Sequence, residues 1–205
     1  MTRPMAALSA VALALAACRM ADPSATAGRP CLVDAGEGNR SWYAGSEADQ
    51  RRLAAWIDAL GTARGEDLLD LGRKILSRGE AAVPPLVVAL RSENPERRGQ
   101  AAYLLGWAQD RRILPALADA TKDPVRAVRY EAAGALLELR DPRGLPVLVE
   151  GLEDPDARLR AKCLSVLAEK TGQRLGFEAD GAPDDRAAAV RRWRLWLGQR
   201  GAAGG

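Results

Sequence analysis

The chain has 205 residues with 30 basic and 27 acidic side chains, a formal net charge of +3, 47% hydrophobic residues and no histidine. A charge so near balance produces no strong field, which argues against a nucleic-acid binder. The missing histidine removes the usual general base near neutral pH and the commonest metal ligand, and three cysteines are too few for a disulfide scaffold.

Thr2-Arg3-Pro4 places one positive charge beside the amino terminus, and an uncharged Ala- and Leu-rich run follows from Met5 to Ala17. The run is too short to cross a bilayer, which takes roughly 20 residues, but it suits the apolar region of a secretory signal peptide. It closes in Leu15-Ala16-Ala17-Cys18, which resembles the lipobox of bacterial lipoproteins. The resemblance implies a signal peptide over 1–17, acylation of Cys18, and a lipid rather than a transmembrane anchor in the bilayer. An ordinary signal peptide cut after Ala17 is the plainer alternative. Several acyl chains make such an anchor stable, since each buried methylene contributes ~0.8 kcal/mol and one chain alone is marginal. In lipoproteins an aspartate after the cysteine can hold the protein at the inner membrane. Arg19 stands there instead, which points to the outer membrane of a bacterial cell envelope, facing the periplasm.

Residues 18–45 read as a flexible tether, with Asp22-Pro23-Ser24, Ala27-Gly28-Arg29-Pro30 and Gly36-Glu37-Gly38-Asn39 and little apolar periodicity. As a random coil it would span about 30 Å, enough to hold a folded body clear of the headgroups. Gly36-Glu37-Gly38 lacks the third glycine, the preceding strand and the lysine of a phosphate cradle. Trp42 and Tyr43 are expected to pack onto the first helix.

From Ser46 the apolar residues fall at helical spacing. Ser46 is the expected N-cap of a first helix with Leu53, Trp56, Ile57 and Leu60 on one face and Gly61 as its stop. A second helix is expected from about Glu66 to Ser77. These two form an atypical opening pair, as a terminal unit with one face in water should. A segment then recurs every 31 residues: Arg98-Gly-Gln-Ala-Ala-Tyr-Leu-Leu, Arg129-Tyr-Glu-Ala-Ala-Gly-Ala-Leu and Arg160-Ala-Lys-Cys-Leu-Ser-Val-Leu. Arg98, Arg129 and Arg160 share one column, Ala101, Ala132 and Cys163 a second, Leu105, Leu136 and Leu167 a third. Such a period means that each unit buries its apolar face only by stacking on its neighbours.

The full units are about 80–110, 111–141 and 142–172. Each is expected to pair a short proline-bearing helix (Pro85, Pro115, Pro146) with a longer one. Asp123-Pro124 and Asp154-Pro155, matched in the first unit by Asn94-Pro95, are expected to cap and open the longer helices. With the arginine six residues after each aspartate, these elements resemble HEAT-like repeats of the short bacterial type found in phycobilisome lyases. The resemblance covers roughly 66–172 and implies an all-α, right-handed α-solenoid of helix pairs with N- and C-terminal caps. After Gly172 the period breaks. A loop through Phe177 and a helix opened by Asp184 or Asp185, with Val190, Trp193, Trp196 and Leu197 inward, make a C-terminal cap over 173–199. The repeat domain thus spans 46–199, and 200–205 is a disordered tail.

No catalytic constellation, metal site or cofactor is expected. Asp184 and Asp185 are adjacent on a helix and so do not face each other, and no serine stands in a nucleophile elbow. The column of Arg98, Arg129 and Arg160 with Asp123 and Asp154 is expected to be a ladder tying units together. Arg97, Arg126, Tyr130, Arg158 and Lys162 on the longer helices, with Trp107 as a contact aromatic, are the candidate partner-binding residues. They suggest a basic groove for an acidic peptide or loop. Trp193 and Trp196 are expected in the core, as is Cys163, although a bridge from Cys31 to Cys163 stays open. The function that follows is a non-catalytic protein–protein interaction scaffold, held to the bilayer through Cys18 and binding no nucleic acid. A structural accessory subunit of an envelope complex, or a lyase-like enzyme, is the alternative.

Overall fold

In the computed structural model the described residues are 46–203. The expected signal segment and tether, Cys18, Cys31 and the Trp42-Tyr43 pair lie outside them. Met1–Arg52 and Leu53–Gly205 form two units. Of the first, only Ser46 and the opening turns of one helix are described, where Ser46 Oγ accepts the Asp49 N–H at 3.2 Å in the manner of an N-cap.

Nine α-helices and no strand occur among the described residues. They are α1 (Glu47–Ala59), α2 (Gly65–Leu76), α3 (Val83–Ala89), α4 (Pro95–Trp107), α5 (Leu114–Ala120), α6 (Arg126–Glu138), α7 (Gly144–Gly151), α8 (Ala157–Thr171) and α9 (Pro183–Ala203). From α3 to α8 the chain is an α-solenoid of three pairs, each a short helix followed by a long one. Pro84 and Pro115 sit in the first turns of α3 and α5, where their missing N–H would have had no partner.

The stripe of small and branched residues on the long helices buries itself in layers. One core cluster takes Leu104, Leu105, Leu117, Ala132, Ala135, Leu136 and Leu139. The next takes Tyr130, Ala133, Leu137, Leu148, Cys163, Leu167 and Trp193. Helix α6 feeds both, because consecutive positions at 100° intervals look toward the unit before and the unit after. Close approach fixes the spacing: a Cβ at Gly106 of α4 would lie 2.9 Å from Ala135 Cα of α6. Cys163 is completely buried, and burial pushes its thiol up to about 12.

The ends of the long helices differ from expectation. Asp123-Pro124 and Asp154-Pro155 do not begin α6 and α8, which start at Arg126 and Ala157. The structural register equates Ser92, Asp123 and Asp154, whose side chains accept the N–H two residues on, from Asn94 (3.2 Å), Val125 (2.8 Å) and Asp156 (2.8 Å). Those second residues are the N-caps. Asn94 and Asp156 cap by side chain, whereas Val125 cannot. Asn94-Pro95 looked equivalent to Asp-Pro because both read as a cap followed by proline, yet it lies two residues later in the turn.

After α8 a left-handed Gly172 (φ +71°) stops the helix. Phe177, 3% exposed, closes the end of the core, and Trp193 of α9 is fully buried with Trp196 edge-on at 5.5 Å. Helix α9 begins at Pro183 and runs past Gly198 to Ala203, beyond the expected stop. Gly198 has open space around it, and a helical glycine costs only about 1 kcal/mol relative to alanine.

Candidate interaction surface

Each arginine of the repeated column first serves its own turn, donating to the carbonyls six and five residues earlier. Arg98 Nη1 reaches Ser92 O at 2.8 Å and Glu93 O at 3.1 Å. Arg129 Nη1 reaches Asp123 O at 2.9 Å and Pro124 O at 3.3 Å. Arg160 Nη1 reaches Asp154 O at 2.8 Å and Pro155 O at 2.9 Å. The column therefore holds the turns that enter the long helices.

What the rest of each guanidinium does varies. Arg98 grips the next unit's Asp123 through two bonds, 2.7 and 2.9 Å. Burial alone would raise the Asp123 pKa, but the Arg98 fork and the Val125 N–H outweigh it and hold the carboxyl below its usual range. One unit on, Asp154 is taken not by Arg129 but by Arg126 at 3.0 Å and the Tyr130 hydroxyl at 2.9 Å. The Tyr130 position is Gly99 in the first unit, so no side chain there competes with Arg98 for Asp123. Arg129 stacks over the Tyr130 ring at 6.0 Å instead, and Arg160 Nε turns to the Ala179 carbonyl of the cap at 2.7 Å. Arg129→Ala would orphan two carbonyls. With hydrogen bonds from a charged donor contributing ~1.5–3 kcal/mol, a fall in Tm of roughly 3–12 °C is expected, and an unchanged melting curve would remove Arg129 from the frame.

A second column went unread in the sequence although the 31-residue period carries it. Asp110 and Asp141 each clasp the arginine two residues on, Arg112 and Arg143, at 2.8 and 2.6 Å. The Arg143 fork holds the Asp141 carboxyl below its usual value; at Asp110 burial pushes upward but the Arg112 fork wins. Carboxyls depressed on folding contribute stability that is full above their unfolded pKa near 4 and is lost as pH falls through the folded value. Tm should therefore stay level from pH 7 to about 5 and drop below about 4. A combined Asp110→Asn, Asp123→Asn and Asp141→Asn variant should be less stable at pH 7 and show a shallower acid limb.

The candidate partner-binding residues are mostly engaged within the fold. Arg97 pairs with Asp58 at 3.0 Å, Arg126 with the buried Asp154, and Lys162 with Glu131. Tyr130 is 4% exposed, so it offers no surface to a partner. Of these cations Arg126, despite its ion pair, and Arg158, on the first turn of α8, stand exposed. An apolar groove of about 330 Å³ lies between α2 and α4, lined by Leu68, Leu69, Leu76, Tyr103, Leu104 and Trp107. Arg73, Glu131 and Lys162 stand at its polar margin. Trp107, 49% exposed, meets Tyr103 edge-on at 6.2 Å. Sequence reasoning picked out Trp107 but missed Tyr103, one turn before it on the same face, and Leu69, which is 67% exposed. Among the described residues no group of three His, Cys, Asp or Glu side chains could hold a metal.

Residues 83–168 match the family model for HEAT repeats, so α3 through most of α8 are similar to HEAT repeats. A solved structure of human deoxyhypusine hydroxylase in complex with glycerol is similar at 23% identity, over 76% of this chain and 49% of that one, with a TM-score of 0.36. This chain thus spans about half the length of that protein. No curated protein matches the chain.

Proposed function

We propose that this chain is a non-catalytic protein-binding scaffold, anchored by lipid on Cys18 to the periplasmic side of a bacterial outer membrane. The observation that carries the binding part is the groove between α2 and α4. A solvated surface ordinarily scatters its exposed apolar side chains singly, yet Leu69, Tyr103 and Trp107 gather here on a frame held by turn hydrogen bonds. Tyrosine and tryptophan supply large contact area at small entropic cost, which suits an anchor for a partner's apolar side chain. The lipobox-like Leu15-Ala16-Ala17-Cys18 supports the anchor, and confinement to a plane raises the effective concentration of a partner held in it.

A photo-cross-linking amino acid at Leu69 should trap one discrete adduct in intact cells, and Trp107→Ala in the same chain should abolish it. The same cross-linker at Val88, exposed on α3, should trap none. An adduct from Val88 alone would favour an accessory subunit that is held by its outer surface. Absence of any adduct from the groove would overturn the scaffold reading. The anchor is tested separately by metabolic labelling with a fatty acid, which Cys18→Ser should eliminate together with the membrane fraction of the protein.

A further inference from the structure

Helix α9 buries Ala189, Val190 and Trp193 and turns its other side to solvent. From Arg186 to Arg200 it carries Arg186, Arg191, Arg192, Arg194 and Arg200 and no acid; Asp184 and Asp185 sit in its first turn. At 100° per residue Arg191, Leu195 and Gly198 fall in one line opposite Val190, Trp193 and Leu197, with Arg192 and Arg194 on either flank. Leu195, at 68%, is among the most exposed large apolar side chains described. Arg192 is tied to the Leu175 carbonyl at 2.8 Å and Arg194 to Glu153. Arg191 is exposed and makes no ion pair among the described residues. Arg200 lies 4.8 Å over the half-buried Trp196. No helix of the described residues is long and apolar enough to cross a membrane.

We infer that the outward face of α9 rests on an anionic phospholipid surface, with Leu195 dipping between headgroups and Arg191, Arg192 and Arg194 against their phosphates. Charge complementarity selects the occupant: the arginines around Leu195 offer cations to headgroup phosphates while the leucine offers one apolar side chain to the layer beneath them. A nucleic acid would use the arginines and leave Leu195 in water. The long stems of arginine let the guanidinium stay in the headgroup layer while the methylenes cover apolar surface. This contact is separate from the groove and independent of acylation at Cys18.

The test uses the full chain carrying Cys18→Ser, so that no lipid is attached, co-sedimented with vesicles of phosphatidylcholine alone or with about a third phosphatidylglycerol. Whatever residues 1–17 contribute is common to every variant. The anionic vesicles should bind more of the chain, and Arg191→Gln should weaken that binding about fivefold, the effect of one cationic side chain at a charged surface. Leu195→Ser should weaken it on both vesicle types, and raising the salt severalfold should erase the anionic preference. Thermal melts identical to the parent show that neither variant disturbs the fold. Equal binding to both vesicles, or an anionic preference indifferent to Arg191→Gln and Leu195→Ser, overturns the inference. So does binding of a short DNA duplex that falls with Arg191→Gln but not with Leu195→Ser while vesicle binding is unaffected.

Discussion

Asp154→Ala is expected to lower Tm by roughly 6–12 °C, the effect of about 3 kcal/mol in a domain of this size. The Asp154 side chain is completely buried and accepts three bonds: from Arg126 Nη1 at 3.0 Å, the Tyr130 hydroxyl at 2.9 Å and the Asp156 N–H at 2.8 Å. Truncation leaves the Tyr130 hydroxyl and the Asp156 N–H without partners where little water reaches, and an unsatisfied buried donor costs ~1–3 kcal/mol. Arg126 is 44% exposed and can turn to solvent, which keeps the loss below that of a fully buried ion pair. Asp154→Asn retains an acceptor and should lose about half as much. Differential scanning calorimetry decides. A Tm within a degree of the parent for Asp154→Ala would mean that the α6–α8 junction does not depend on this carboxylate.

Gly144→Ala and Gly134→Ala should move stability in opposite directions although both add one methyl group to a helix. At Gly144, in the first turn of α7, a Cβ would overlap the Ala133 carbonyl oxygen of α6 and lie 3.1 Å from Leu137 Cγ. Backbone cannot swing aside as a side-chain tip can, so α6 and α7 must separate, and overpacking of this kind costs about 1–3 kcal/mol or more. At Gly134, in the middle of α6, the same methyl meets Val166 at 3.8 Å, ordinary van der Waals contact. There the helix gains from the reduced freedom of alanine, by up to about 1 kcal/mol. Urea titration should shift the midpoint down for the first variant and up for the second. Two losses of similar size would show that the spacing between α6 and α7 is not what Gly144 protects.

The sequence by itself determined what depends on spacing along the chain. The 31-residue period marked the stacking units, and the 3.6-residue stripe marked the buried faces of α4, α6 and α8. The loop after Gly172 and the Trp193–Trp196 pair announced the closing cap. The bonds from Arg98, Arg129 and Arg160 to carbonyls five and six residues back follow from the same spacing, because a turn of fixed length delivers the same carbonyls to the same side chain in every unit, although the column was expected to tie units together. Tertiary structure decided whatever lies between units. Arg126 and Tyr130 read as contact residues until stacking carried both to Asp154, one unit on from the Asp123 that Arg98 grips. The groove likewise needs α2 and α4 side by side: Leu69 and Tyr103 are 34 positions apart, and neither carries a local sign of the other. Competition among donors for one buried carboxylate is settled by helix separation and by the volume of each side chain, such as a glycine at 99 against a tyrosine at 130. Those quantities exist only once the helices have packed.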